Sequence, residues 1–232
     1  MSIYVLGDLH LSFGCNKPMD VFGSRWDRHY IKIEENWQQV VRPEDTVVIN
    51  GDISWGMSLQ QALWDFDYIH RLNGRKLILK GNHDYWWETA SKMNRFCEEN
   101  GFTSIEFLHN NAVRVGDVAL CGSRGWFLDE EDSTGHNQKM RDREAGRLAA
   151  SLEAGKQTGA AELITFLHYP PVFPGFLCQE IMEVLHRYQV RRCYYGHLHG
   201  ASHRKAVTGE YEGIHFTLTS CDYTDFQPIF VE

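Results

Sequence analysis

The stretch Tyr195-Gly-His-Leu-His-Gly sets His197 and His199 one residue apart between glycines. Four other places carry comparable groups just after an apolar run: Gly7-Asp8-Leu9-His10, Gly51-Asp52, Gly81-Asn82-His83-Asp84 and His168. Pooled, Asp8, His10, Asp52, Asn82, His168, His197 and His199 offer two carboxylates, one amide oxygen and four imidazoles, with no thiolate. A mixed oxygen and nitrogen set of this kind suits Mn, Fe, Zn, Co or Ni and is poor for Mg, which prefers all-oxygen octahedra. Seven ligands are too many for one ion. They suit two if one carboxylate bridges, as in two-metal hydrolases with ions roughly 3.5–4 Å apart. Two divalent cations set against two carboxylates leave about +2 of charge to attract a phosphate, and a hydroxide between the ions would be the nucleophile.

Something must bring these groups together. Short apolar, β-branched runs at Ile3 to Leu6, Thr46 to Asn50, Lys76 to Leu79, Ile164 to Leu167 and Cys193 to Tyr195 each lead straight into one of the five blocks and predict buried strands. In α/β folds ligands bind beyond the carboxyl ends of strands, so the blocks could converge on one site. In extended chain, residues i and i+2 project to the same side, which pairs Asp8 with His10 and His197 with His199, each pair on one ion. Trp26, Tyr30, Ile33, Trp37 and Val40 step at helical spacing, as do Leu59, Ala62, Leu63, Phe66 and Ile69 after a cap at Ser58. A third helix is expected over Trp86 to Cys97. Val113 to Gly122 predicts a hairpin turning at Gly116–Asp117, and Ile214 to Thr219 another strand. The expected class is mixed α/β with two packed sheets.

Composition narrows the partners. At 232 residues, 43% hydrophobic, the chain can bury a large core, and no repeat, low-complexity tract or Pro/Gly/Ser-rich linker marks a boundary, so one domain over 1–232 is expected. A net charge of −8 disfavours a nucleic-acid backbone or an anionic membrane as the main partner. Neither a signal-like N-terminus nor an apolar run of ~20 residues is present, so a soluble, unexported chain is expected. The six cysteines form no CxxC pair, which fits free thiols in a reducing cytoplasm. Oligomeric state is not legible.

In the order GDxH, GD, GNHD, H and GHxH, the blocks resemble the calcineurin-like metallophosphoesterase superfamily, over residues 7 to 199. Any one block alone would be a weak signal; five in order are specific. The resemblance implies a four-layered α/β/β/α sandwich of two mixed sheets flanked by helices, and a dinuclear phosphoesterase. It assigns Asp8, His10, Asp52 and His199 to one metal, and Asp52, Asn82, His168 and His197 to the other, with Asp52 bridging. On that assignment His197 and His199 hold different ions, which replaces the shared-ion inference from spacing. His83 would be the general acid, because an alkoxide leaving group needs a proton and imidazole titrates in the useful range. Asp84 either orients that ring or caps the third helix.

Other signals are weaker. Taken singly, His168 fits a strand-end histidine braced by Pro170–Pro171, and Asp52 a turn residue; only the joint pattern makes them ligands. His29, His70, His109, His136, His186, His203 and His215 are assigned to surface or packing roles. Of Trp55, Trp64, Trp86, Trp87 and Trp126, most should be core, with Trp55 and Trp126 as candidates for a substrate wall. The polar stretch from Ser123 to Arg143 is a solvated loop or a lid, and Arg124 a candidate phosphate clamp.

The second block, GDISWG, lacks the arginine of the protein Ser/Thr phosphatase form GDxxDRG, which disfavours that subtype. The opening GDLHL also resembles pyrophosphohydrolases of nucleotide- or lipid-linked substrates and DNA-repair nucleases. Acidity and the 33 residues after His199, too few for a capping domain, weigh against the nuclease. The favoured expectation is hydrolysis of a small phosphomonoester or phosphodiester, with a metal-binding scaffold without turnover as the reading from another class. No GxGxxG, GxxxxGK[ST], GxSxG or HExxH motif competes.

Overall fold

In the computed structural model the described residues are 1–126 and 136–232. The first half runs β1 (Ile3–Val5), α1 (His29–Val40), β2 (Thr46–Asn50), α2 (Leu59–Arg71), β3 (Arg75–Leu79), α3 (Ala90–Asn100), β4 (Ile105–Phe107), β5 (Ala112–Val115) and β6 (Val118–Ser123). It continues through α4 (His136–Gln157), β7 (Glu162–Leu167), β8 (Val172–Phe173), β9 (Phe176–Leu177), α5 (Gln179–Arg187), β10 (Arg192–Tyr195), β11 (Gly209–Tyr211), β12 (Ile214–Leu218) and β13 (Ile229–Phe230). Two compact units divide these elements: residues Met1–Phe107 with Thr219–Glu232, and residues Leu108–Leu218.

The first unit is built on a sheet of order β13-β1-β2-β3-β4 in which β1 to β4 are parallel and β13 is antiparallel to β1. Its centre is β2, Thr-Val-Val-Ile-Asn, buried at every position, as a parallel strand covered on both faces must be. Val47 and Ile49 of β2 share a core with Ile33 and Trp37 of α1 and with Ala62, Phe66 and Ile69 of α2. The helix α2 starts where the sequence predicts, with the Ser58 hydroxyl accepting from Gln61 N. Two boundaries differ. Trp26 lies in a separate 3-10 turn, because Arg28 takes a left-handed φ of 46° and breaks the run before α1. The helix α3 begins at Ala90 and not at Trp86, capped by Thr89. Asp84 cannot cap it because its carboxylate is engaged by other N–H groups.

A sheet of order β11-β12-β10-β7-β6-β5 organises the second unit, with β12, β10, β7 and β6 parallel and an antiparallel strand at each edge. The hairpin of β5 and β6 turns at Gly116–Asp117 as expected, Gly116 taking φ 58°. Helices α4 and α5 pack their apolar faces into this unit's core, Leu148 and Leu152 from one and Ile181, Met182 and Leu185 from the other. The stretch from Ser123 to Arg143, expected as a solvated loop or a lid, falls partly at 127–135, outside the described residues; from His136 onward the chain is helical. Each unit thus supplies one mixed sheet flanked by helices, as the expected sandwich class requires.

Lys76 of β3 is fully buried, yet its Nζ donates to the carbonyls of Leu72 (2.6 Å), Gly74 (2.8 Å) and His70 (3.2 Å), closing the end of α2. Burial pulls its ammonium down to about 8, so it is charged at neutral pH and satisfies three carbonyl acceptors at once. Lys76→Met should therefore cost about 2–3 kcal/mol in urea denaturation at pH 7, although it retains the aliphatic stem. A change below roughly 0.5 kcal/mol would contradict this role.

Candidate metal centre

In the first unit the chemistry sits beyond the carboxyl ends of three neighbouring parallel strands. Asp8 and His10 follow β1, Asp52 follows β2, and Asn82, His83 and Asp84 follow β3. Backbone pairing continues past the strands themselves: Asp8 N donates to Gly51 O (2.9 Å) and His10 N to Asp52 O (2.9 Å). The segment is nevertheless not extended, since Asp8, His10 and Asp52 take left-handed φ of 60°, 46° and 51°. Such conformations cost about 1–3 kcal/mol each and cluster where side chains must be aimed. The extended-chain argument for Asp8 and His10 therefore fails in its premise. Their ligand atoms still come within 4.8 Å of each other, as do those of Asp8 and Asp52, and His10 Nε2 lies 3.7 Å from Asp52 Oδ2.

Beneath them lies Asp84, 1% exposed. Its Oδ2 accepts from Gly81 N (2.7 Å) and Asp52 N (2.9 Å), and its Oδ1 from Ile53 N (2.9 Å), Ser54 N (3.3 Å) and Trp86 Nε1 (3.0 Å). Of the two expected roles it takes neither: it clamps the loop after β2 to the loop after β3. Burial, then the neighbouring Asp52 charge, pushes its carboxyl up to about 7. The same closeness dictates Gly81, where a Cβ would sit 2.1 Å from Asp52 N. His83 is held from its backbone, its N donating to Asp52 Oδ1 (2.8 Å). Trp55 lies on the His10 ring at 5.1 Å and on the His83 ring at 4.5 Å.

His29, assigned to packing, braces the carbonyl between the two β1 ligands. Burial holds its imidazole pKa down, and its ring nitrogens meet two carbonyls, Nε2 at 3.0 Å from Leu9 O and Nδ1 at 3.3 Å from Trp26 O.

Within the second unit, His168 ends β7 fully buried, its N donating to Arg124 O (3.2 Å) and its O accepting from Gly196 N (3.0 Å). The ends of β6, β7 and β10 are thereby tied together. His197, at φ 72°, places its ring 5.3 Å from that of His168, and His199 precedes a 3-10 turn over Gly200–Lys205. Tyr169 packs on the His197 ring at 4.6 Å, and the Arg124 guanidinium lies 6.0 Å from Tyr169 and 5.3 Å from Trp126. Arg124 Nη2 stands 3.6 Å from the fully buried Glu144, which Arg147 Nη1 meets more closely at 2.6 Å. Trp126 is fixed by Nε1 donating to Asn137 Oδ1 (2.8 Å). Of the other tryptophans, Trp86 is core as expected, whereas Trp64 is 60% exposed.

The donor set of the first unit fits divalent cations. Asp8 and Asp52 are 0% and 1% exposed, and two carboxylates taken this far out of water within 4.8 Å of each other call for positive charge beside them. A divalent ion meets that need, with His10 as a neutral nitrogen donor.

The family model for calcineurin-like phosphoesterases matches residues 1–201. The chain belongs to the calcineurin-like phosphoesterase family. A curated relative, the uncharacterized protein MJ1445 of Methanocaldococcus jannaschii, is 29% identical over 113 residues, 47% of this chain and 58% of that protein. The calcineurin-like fold is also shared with TT1561 of Thermus thermophilus (TM-score 0.59, 12% identity, covering 100% and 99% of the two chains). Two further structures share it: AQ665 of Aquifex aeolicus, a protein of unknown function (0.53, 16%, 99% and 95%), and the phosphopantetheinyl hydrolase PptH of Mycobacterium tuberculosis (0.53, 12%, 99% and 95%). At these identities the likeness concerns the fold alone.

One supporting residue went unnoticed in the sequence. Asp65 of α2 is fully buried; it accepts from Phe13 N (2.8 Å) and from the Ser54 hydroxyl, tying the loop after β1 to the loop after β2. A signal existed, since Asp65 falls on the apolar face marked by Ala62, Phe66 and Ile69, where a carboxylate is out of place. Burial raises its pKa to about 6 against the Ser54 and Phe13 hydrogen bonds that lower it. The folded state then binds the proton more tightly than the unfolded one, so its contribution is full below about pH 4 and lost as pH rises through about 6. In metal-free protein, the stability of wild type minus that of Asp65→Asn should fall by about 2 kcal/mol between pH 4.5 and 7.5. Urea midpoints measured across that range would show it; a difference independent of pH would contradict the linkage.

Proposed function

We propose that this family member hydrolyses a small phosphomonoester or phosphodiester at a dinuclear centre. Asp8, His10, Asp52 and His199 would hold one ion, Asp52, Asn82, His168 and His197 the second, with Mn, Fe, Zn, Co and Ni all compatible with the donors. The observation that carries this reading is the pair of buried carboxylates, Asp8 and Asp52, aimed by left-handed backbones beside His10. A family match that runs through both units supports treating 1–232 as one metallophosphoesterase domain. When bound, the ions supply electrophilic stabilisation of the phosphoryl oxygens and an acidified water.

The chain's own residues do the rest. Asp52 holds its turn through Asp84 and presents one oxygen to His83 N, so the same loop that carries the shared ligand also fixes the acid. The His83 imidazolium gives a ring proton to the leaving oxygen as the P–O bond breaks. Arg124 is the phosphate clamp of this reading: a half-buried guanidinium with a long 3.6 Å contact to Glu144 retains donors for a substrate oxygen. Trp126, under that guanidinium, is the wall beside it. A small phosphoester is the substrate class because net charge −8 disfavours nucleic acid. The cysteines described are all free, five of them buried, which suits a reducing cytoplasm, and no described helix is long and apolar enough to cross a membrane.

Protein reconstituted with Mn should turn over 4-nitrophenyl phosphate or its bis-ester, and a chelator should lower the rate by about 100-fold or more, reversibly. The ratio of the two rates separates monoester from diester chemistry. If metal-loaded protein hydrolyses neither, the phosphoesterase reading fails in favour of a non-catalytic scaffold or a pocket specific for a nucleotide- or lipid-linked pyrophosphate.

A further inference from the structure

His83 sits on a turn, and a general acid on a turn needs something to hold its ring. Its backbone is tied to Asp52, but none of the five hydrogen bonds to the Asp84 carboxylate comes from the imidazole. Aromatic neighbours do reach the ring. Trp55 lies 4.5 Å from His83 at an interplanar angle of 43°, and 5.1 Å from His10 in a near-parallel stack of 23°. The two imidazoles are themselves 5.9 Å apart, far less than opposite faces of one indole would require, so Trp55 meets both from one side of the cluster.

Trp55 is itself well placed. Its N donates to Leu11 O (2.9 Å), alongside the bridge between Leu11 and Ser54, and its Nε1 points to Met19 Sδ at 3.2 Å. The loop after β1 therefore holds the indole, and the indole meets the ring. Tyr85, 6.1 Å from the His83 ring, is 54% exposed and makes a looser neighbour.

We infer that Trp55 is the positioning residue for His83, fixing the imidazole beside His10 so that its proton meets the leaving oxygen, and is not a wall for the substrate. This rests on the phosphoesterase reading and on His83 as the acid. Misplacing a catalytic group by about 1 Å costs on the order of 100-fold, and only where the group is needed.

The test compares two esters of whichever class the wild type hydrolyses, one with a 4-nitrophenol leaving group and one with a simple alkanol. Nitrophenolate departs with little help from an acid, whereas an alkoxide does not. Trp55→Ala should lower kcat on the alkyl ester by about 10- to 100-fold more than it lowers kcat on the nitrophenyl ester. Trp55→Phe, which keeps an aromatic face and guards against a folding defect, should recover most of the alkyl-ester rate. Equal losses on both esters, or a loss confined to KM, would overturn the positioning role while leaving the phosphoesterase reading intact. No turnover of either ester by the wild type would remove that reading, and Trp55's role with it.

Discussion

The turn after β2 is the constraint on which the first unit's chemistry depends. Asp52 is buried, left-handed and within reach of Asp8 and His10, an arrangement that neither its backbone preference nor its charge would choose unaided. Asp84 makes it possible, accepting from the backbone N–H groups of Asp52, Ile53, Ser54 and Gly81 in one place. Around that clamp the rest follows: Gly81 must lack a side chain, His83 hangs from the Asp52 carboxylate, and Asp65 draws the neighbouring loop in through Phe13 and Ser54.

This explains why the site needs parallel strands. Beyond the end of β2 the chain must leave the sheet sharply, and the loops from β1 and β3 must do so beside it. The second unit repeats the device, with Arg124, His168 and Gly196 cross-linked by backbone bonds at the ends of β6, β7 and β10 and His197 turned left-handed. The calcineurin-like phosphoesterase family model runs through both sets of strand ends.

Much of this was legible in the amino acids. The five strands that precede the chemical blocks could be read because parallel strands buried on both faces are continuous β-branched runs. The cap at Ser58 and the Gly116–Asp117 hairpin carried local chemistry of their own. What misled was local logic applied where tertiary contacts govern. Asp84 has the composition of a cap, but its carboxylate is claimed by N–H groups over thirty residues away in the chain, so α3 starts at Ala90 with Thr89 as its cap. Asp8 and His10 have the spacing of an extended pair, yet the backbone is left-handed at both. Asp65 sat unremarked on the apolar face of α2, where a polar residue is itself the clue.

In the proposed dinuclear centre one carboxylate, Asp52, serves two ions. Metal content after reconstitution and removal of loose ions, measured by plasma mass spectrometry, tests it without reference to any substrate. The wild type should retain about two ions per chain, His197→Ala about one, and Asp52→Asn fewer than one. Retention of two ions by Asp52→Asn, or of only one by the wild type, would contradict it.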